Sequence, residues 1–269
     1  MNLLPALIYE HQFMNTSALE RPSHQLPVTQ FPLDAAKMPR HIAIIMDGNR
    51  RWAKQQGLGA IRGHTVGART TRDIIQACVD LSIPALTIYT FSTENWKRPR
   101  GEVSALMRLI TGNLRDELAS MKANNIRVQH IGRREGLPEY LLRQIDESVA
   151  QTQHNSGLVL SLALNYGGRA EILDAFHDLL KKVLSGELDA EQIGEREIEN
   201  ALYTQGLPEP DLMLRTGGEM RISNFLPWQI AYAELWVTPT LWPDFRAAEL
   251  HRAIADFQKR ERRFGGVKD

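Results

Sequence analysis

The sequence predicts a single α/β domain organised around a mostly parallel β-sheet flanked by helices. Three observations carry that prediction. Short apolar runs rich in β-branched residues recur along the chain, and they alternate with longer segments of helical period. The runs are apolar almost without interruption, as strands covered on both faces of a parallel sheet must be. The chain has 269 residues, 43% hydrophobic and 24% charged, which is enough to bury one large core and too apolar for disorder over most of its length.

The elements follow in order. Residues 1–9 are apolar, but no basic residue precedes them and Glu10 and His11 follow at once, a poor match to a secretory signal. Pro22, Pro27, Pro32 and Pro39 then punctuate a stretch without periodicity, so residues 1–37 are expected to be a flexible extension and 38–269 the folded domain. Strands are expected at residues 41–46 (HIAIIM), 85–91 (ALTIYTF), 126–131 (IRVQHI), 158–164 (LVLSLAL), 212–214 (LML) and 235–237 (LWV). Crossover helices are expected over 66–81, 103–123, 140–153, 171–184 and 247–262, with residues 184–192 a loop leading into one more helix.

Composition excludes several function classes. Lys plus Arg and Asp plus Glu number 32 each, so no net field attracts nucleic acid, and any anion site must be local. The single cysteine, Cys78, rules out an intramolecular disulfide framework and a cysteine-based zinc ribbon; it fits a reducing, cytoplasmic setting and lies in an apolar stretch suited to packing. No run of 18 apolar residues is long enough to span a membrane. The chain lacks a P-loop, a G-x-S-x-G elbow, an H-x-x-x-H zinc pattern and an aspartate pair of the DDxxD kind. The glycines of residues 57–63 approximate a dinucleotide fingerprint, but the third is one residue late and no strand directly precedes them.

In an open parallel sheet, ligands bind beyond the carboxyl ends of the strands. The first run ends in Asp47-Gly48-Asn49-Arg50-Arg51-Trp52 and the second in Phe91-Ser92-Thr93-Glu94-Asn95-Trp96-Lys97-Arg98. The fourth ends in Asn165-Tyr166-Gly167-Gly168-Arg169, and the fifth in Arg215-Thr216-Gly217-Gly218-Glu219, with Arg221-Ile222-Ser223-Asn224 close behind. Singly, each is ordinary turn or cap chemistry. Arginine at all four ends is not explained that way. Glycines admit backbone N–H groups to an anion and arginine matches phosphate oxygens bidentately, so the expected ligand is a phosphate or diphosphate.

At these residues the sequence resembles the cis-prenyltransferases, in particular the bacterial undecaprenyl diphosphate synthases, from about position 39 to 266. The blocks that carry the resemblance are residues 41–53; Gly63-His64 with Gly67; residues 91–99; residues 165–169; and residues 211–234 with 242–245 and 260–265. The resemblance implies a homodimer, a six-stranded parallel sheet and a hydrophobic tunnel for the growing chain. It implies that isopentenyl diphosphate is added to an allylic diphosphate, with farnesyl diphosphate as primer, to give a Z-polyprenyl diphosphate, the undecaprenyl carrier of cell-wall synthesis. Mg²⁺ is the implied cofactor, and peripheral membrane contact would accompany product release.

Residue by residue, the resemblance makes Asp47 the catalytic aspartate and a Mg²⁺ ligand, and Glu234 a second acid near the metal. Gly48, Asn49, Arg50, Arg51, Trp52 and His64 would hold the allylic diphosphate. Arg215, Arg221, Ile222 and Ser223 would hold isopentenyl diphosphate. Phe91, Ser92, Thr93, Glu94, Trp96 and Arg98 belong to a segment that closes over the substrates, with Asn95 taking part in proton removal. Three positions depart from common members: Ala60 replaces an arginine, with Arg62 nearby; Arg50 often is glycine; and Met220 replaces a histidine found in some. The rival readings are a non-catalytic binding subunit, against which Asp47, Asn95, Arg215 and Arg221 argue, and a nucleotide-binding oxidoreductase resting on the imperfect glycine run.

Overall fold

Six parallel strands form one sheet in the computed structural model, which describes residues 32–261. They are β1 (His41–Ile45), β2 (Ala85–Ser92), β3 (Arg127–Ile131), β4 (Val159–Tyr166), β5 (Leu212–Arg215) and β6 (Glu234–Val237), in spatial order β3-β4-β2-β1-β5-β6. Each coincides with an apolar run to within two residues. β4 extends furthest past its run, because Tyr166 still pairs with Ser92 across a register shift in β2.

Among the described residues seven α-helices surround the sheet: α1 (Asn49–Gln55), α2 (Ala60–Asp80), α3 (Arg100–Ala123), α4 (Glu139–Thr152), α5 (Gly168–Leu184), α6 (Glu195–Ala201) and α7 (Ala247–Gln258). Alternate strand residues face opposite layers. Ile42, Ile44, Leu86, Ile88, Leu160, Leu162, Leu212 and Leu214 share the larger core with residues of α2, α3, α4 and α7. Ala43, Ile45, Ala163, Tyr166 and Met213 share the smaller one with Phe225, Leu226 and Ile230 of the segment after β5. A fully buried Leu or Ile is worth roughly 1.5–3 kcal/mol, so the two-faced burial of β1, β2 and β4 anchors the sheet. Cys78 is buried in the larger core, its thiol pushed up to about 12 by desolvation, as a packing residue should be.

Two helix boundaries differ from the sequence prediction by more than three residues. α2 begins at Ala60, six residues early, and α1 was not anticipated. Gly63, the last glycine of the fingerprint-like run, and Gly67, inside the expected helix, are the contact face on which α1 rests: a Cβ at Gly63 would lie 2.0 Å from the Asn49 carbonyl oxygen, and one at Gly67 2.1 Å from Asn49 Oδ1. The glycine run of residues 57–63 therefore joins two helices, which removes the dinucleotide reading. α7 ends at Gln258, four residues early; Arg262 and Arg263 lie outside the described residues. Of the extension expected over 1–37, residues 1–31 lie outside the described part. Its end forms a 3₁₀ turn, Ala35–Lys37, and Asp34 N donates to Gln258 Oε1 at 2.9 Å. Among the described residues no helix is long and apolar enough to cross a membrane.

The chain leaves β1 toward β2 on one side and later returns to place β5 on the other, so connections diverge between β1 and β5. That crevice, at the carboxyl ends, is where an open α/β sheet offers a ligand site.

Candidate active site

Register brings the pieces together. Ile45 pairs with Arg215, so the residues just beyond β1 and β5 meet. Arg215, only 3% exposed, donates from Nη2 to Asp47 Oδ2 at 2.8 Å and from Nη1 to Ser223 Oγ at 2.8 Å and to the Arg221 carbonyl. Arg51 Nη2 lies 3.4 Å from Asp47 Oδ1, and its Nη1 donates to the Gly217 carbonyl at 2.7 Å. Thr216 Oγ1 donates to the Asp47 carbonyl at 2.7 Å, fixing the backbone of the aspartate. Gly217 has to be glycine: its φ is +84°, and a Cβ there would sit 2.2 Å from Arg51 Nη2.

A second wall comes from α1, α2 and the start of α3. Arg98 and Arg50 approach Glu102 at 3.4 and 3.8 Å. His64, on the second turn of α2, is held at about 4, chiefly by burial and further by the Arg98 and Arg50 charges, so it is neutral at pH 7. Burial also lowers Arg98, against the pull of Glu102. Among the described residues, two buried nitrogens around this mouth have no protein partner, His64 Nε2 and Arg215 Nε. Buried polar groups are normally satisfied, so unpartnered nitrogens beside a cluster of guanidinium groups mark where an anionic ligand fits.

The third wall is the segment after β2. Thr93–Lys97 form a 3₁₀ turn closed by a capping box in which Ser92 N donates to Asn95 Oδ1 at 3.2 Å. The Asn95 amide oxygen is thereby engaged, leaving its NH₂ as the group free to meet a ligand. Trp96 packs edge-on against Phe91, ring centres 5.1 Å apart, and its Nε1 donates to Asn165 Oδ1 at 2.7 Å. Asn224 Nδ2 donates to Glu94 Oε1 at 3.0 Å.

These walls open into a cavity of about 740 Å³. Its mouth holds Asp47, Asn49, His64, Ser92, Glu94, Asn95, Arg98, Arg215, Arg221 and Ser223. Its depth runs between α2, α3 and the sheet, past Ile75, Ile110, Leu114 and Leu162 to Met121 and Ile126. The lining runs along α3 from Leu106 to Asn124 just past its end, eighteen steps of about 1.5 Å, or about 27 Å. The arrangement is a charged, anion-binding mouth on a long, largely apolar channel.

Several expected residues stand elsewhere. Glu234 opens β6 opposite Leu212, the first residue of β5, so it lies at the far edge of the sheet from Asp47, with its carboxylate 2.7 Å from Arg260. Within one chain it cannot share a metal with Asp47. Phe91 is buried in the core, Trp52 donates to Asp244 at 2.9 Å, and Ile222 packs on the smaller core. None of these three lines the cavity, nor do Gly48, Arg50, Arg51, Thr93 and Trp96, which frame the mouth instead. Arg62 is exposed on the first turn of α2 and Met220 is 83% exposed, both outside the cavity lining. Sequence reading missed the α2 wall, including Thr71, Arg72 and Gln76, and missed Glu102. Four-residue spacing from Arg98 was the available signal for Glu102.

Among the described residues no three His, Cys, Asp or Glu side chains cluster as a protein-built metal site. Asp47 still fits a hard cation that shares a ligand's oxygens: its side chain is 31% exposed, and Oδ1 is held only by the 3.4 Å contact to Arg51. Mg²⁺ keeps several waters and is commonly bound by one or two carboxylates plus phosphate oxygens.

The family model described as "Putative undecaprenyl diphosphate synthase" matches residues 45–265. The isoprenyl transferase of Heliobacterium mobile is 48% identical over 236 residues, covering 88% of this chain and 91% of that protein. That of Clostridium tetani is 49% identical over 238 residues, covering 88% and 93%. Among solved structures, lavandulyl diphosphate synthase from Lavandula x intermedia in complex with dimethylallyl diphosphate superposes with a TM-score of 0.84 at 38% identity, covering 86% of this chain and all of that one. A "probable undecaprenyl diphosphate synthase" from Campylobacter jejuni superposes with a TM-score of 0.70 at 34% identity, covering 85% and 99%.

Proposed function

Since the chain belongs to the undecaprenyl diphosphate synthase family of isoprenyl transferases, we propose that it condenses isopentenyl diphosphate with an allylic diphosphate, farnesyl diphosphate by preference, and repeats the step to give a Z-polyprenyl diphosphate of undecaprenyl length. The observation that carries the reading is the junction of an arginine-lined mouth with a 740 Å³ cavity following about 27 Å of α3. A diphosphate head and a long hydrocarbon tail need just that pairing. The lavandulyl relative binds an allylic diphosphate, which supports the same ligand class here.

In each cycle the carbon–oxygen bond between the allylic group and its diphosphate breaks. A carbon–carbon bond forms to the terminal methylene of isopentenyl diphosphate, and one proton leaves. Arg51, His64 and the backbone N–H groups of residues 48–51 hold the allylic diphosphate. Arg215, Arg221 and Ser223 hold the other, and the desolvated Arg215 favours an anion more strongly than an exposed arginine would. Mg²⁺, bound through Asp47 and diphosphate oxygens, would supply Lewis-acid stabilisation of the departing group. Asn95 would orient a substrate oxygen through its NH₂, its carbonyl accepting from Ser92 N, and a neutral amide is too weakly basic to serve as the general base. The proton goes to a diphosphate oxygen.

Two copies are expected to associate. α5 exposes Leu173, Phe176, Leu180 and Leu184, the last 78% exposed, and β6 is a sheet edge with exposed Leu235; both suit a partner surface. The protein would work in the cytoplasm with peripheral membrane contact as the product leaves. The test is incubation of pure protein with Mg²⁺, labelled isopentenyl diphosphate and a series of allylic primers, with chromatography of the products. Absence of chain extension with every primer would refute the assignment.

A further inference from the structure

Residues 221–226 make an unusual loop. Ser223, Asn224 and Leu226 have φ of +48°, +63° and +49°, left-handed values that non-glycine residues adopt only where the surroundings hold them. The holding contacts converge on Asn224. Its carbonyl accepts from Gly168 N at 2.8 Å and its Oδ1 accepts from Arg169 N at 2.9 Å, docking the loop on the turn from β4 into α5. Gly168 permits the approach, since a Cβ there would lie 2.0 Å from Pro227 Cδ. The remaining group, Nδ2, reaches Glu94 Oε1 at 3.0 Å.

The neighbour before it, Ser223, accepts from Arg215, and Arg215 holds Asp47. A continuous chain of contacts thus runs Asp47–Arg215–Ser223–Asn224–Glu94, and Glu94 is next to Asn95. Partial burial works to raise the Glu94 carboxyl, but hydrogen bonds from its own backbone, Asn224, Ser92 and Thr93 outweigh it and hold the group below its ordinary value. Glu94 is therefore an acceptor, and the Asn224 NH₂ is matched to it.

We infer that Asn224 is a positioning residue that ties the loop gripping one diphosphate to the Ser92–Arg98 segment carrying Asn95, so that the two walls of the mouth are placed together. Asparagine suits the position in three respects: it tolerates the left-handed backbone, its carbonyl accepts from Arg169 N, and its amide donates to Glu94. Aspartate preserves the first two and inverts the third. The assignment of the loop to a diphosphate rests on the proposed function; the tie itself does not.

The experiment exploits that difference on the full chain, with N224D, E94Q and the double variant. Hydrogen exchange of amides 92–98, measured without substrate, reports the tie. Asn224→Asp should set two carboxylates against each other and speed exchange there about ten-fold, while adding Glu94→Gln supplies an amide donor and restores protection. In turnover assays N224D should lower kcat by about ten-fold with primer KM nearly unchanged, as a misplaced wall would. Exchange unchanged in N224D, or unrestored in the double variant, overturns the inference. So does a loss of turnover with exchange unaltered, which would make Asn224 a direct substrate contact. A wild-type protein that extends no primer but shows the exchange pattern upholds the tie while removing the proposed function.

Discussion

Arg215→Ala should raise the KM for isopentenyl diphosphate far more than that for the allylic primer. The side chain is 3% exposed, and its two terminal nitrogens engage Asp47, Ser223 and the Arg221 carbonyl; its Nε has no protein partner. Losing one charge-assisted contact to phosphate removes roughly 1.5–3 kcal/mol, which is about 10- to 150-fold in affinity. The truncation also strips Asp47 Oδ2 of its 2.8 Å partner. Breaking a buried pair costs about 3–5 kcal/mol, but Asp47 is 31% exposed and can recover water, so the stability loss should fall at or below the low end, about 3 kcal/mol. At about 2–4 °C per kcal/mol for a large domain, the melting temperature should drop by roughly 6–12 °C. Initial rates over a grid of both substrates separate the two KM values, and calorimetry gives Tm. Equal rises in both KM values would refute the assignment of Arg215 to one diphosphate, and an unchanged Tm would refute the energetic role of its pairing with Asp47.

Asp47→Asn keeps an acceptor for Arg215 but removes its counter-charge; turnover should fall by about 10²–10³ and the melting temperature should fall as well, because Arg215 is left 3% exposed without an anionic partner, and near-normal turnover would exclude Asp47 from the chemistry. Gly63→Ala should destabilise the protein by more than about 2 kcal/mol in denaturant titration, because its Cβ would lie 2.0 Å from the Asn49 carbonyl oxygen. His41 is held at about 4 by burial, opposed by its Pro208 hydrogen bond and Asp211, and His64 also at about 4. The unfolded chain takes up these protons first. These histidines therefore cost no stability above about pH 6.5, and each costs about 1.4 kcal/mol per pH unit as pH falls toward 4. His130 and His251 are shifted the same way, so the slope between pH 6.5 and 5.5 should shrink by about one proton in His41→Gln; an unchanged slope would mean His41 is not buried neutral.

Chain order and periodicity sufficed for the strands, since a run such as residues 212–214 can be apolar throughout only if both faces are covered, as Leu212, Met213 and Leu214 are. Local chemistry likewise marked the mouth: Asp47 and Arg215 stand at strand ends, with Ser223 in the loop that follows β5, where an α/β sheet presents ligands. The resemblance supplied the substrate class, which spacing alone did not reach. Tertiary structure decided what lies far apart in sequence. Gly63 and Gly67 proved to be a helix contact because α1 packs on them, which no local pattern encodes. Glu234 shares the β5–β6 neighbourhood in sequence with Arg215 and Arg221, yet parallel pairing sends it to the opposite edge of the sheet. The channel wall on α2, the engaged carbonyl of Asn95 and the bond from Asn224 to Glu94 all depend on contacts between separate elements. Period and turn chemistry act over a few residues and are written in the sequence; register, helix packing and the hydrogen bonds that close a site are settled only when the whole chain is in place.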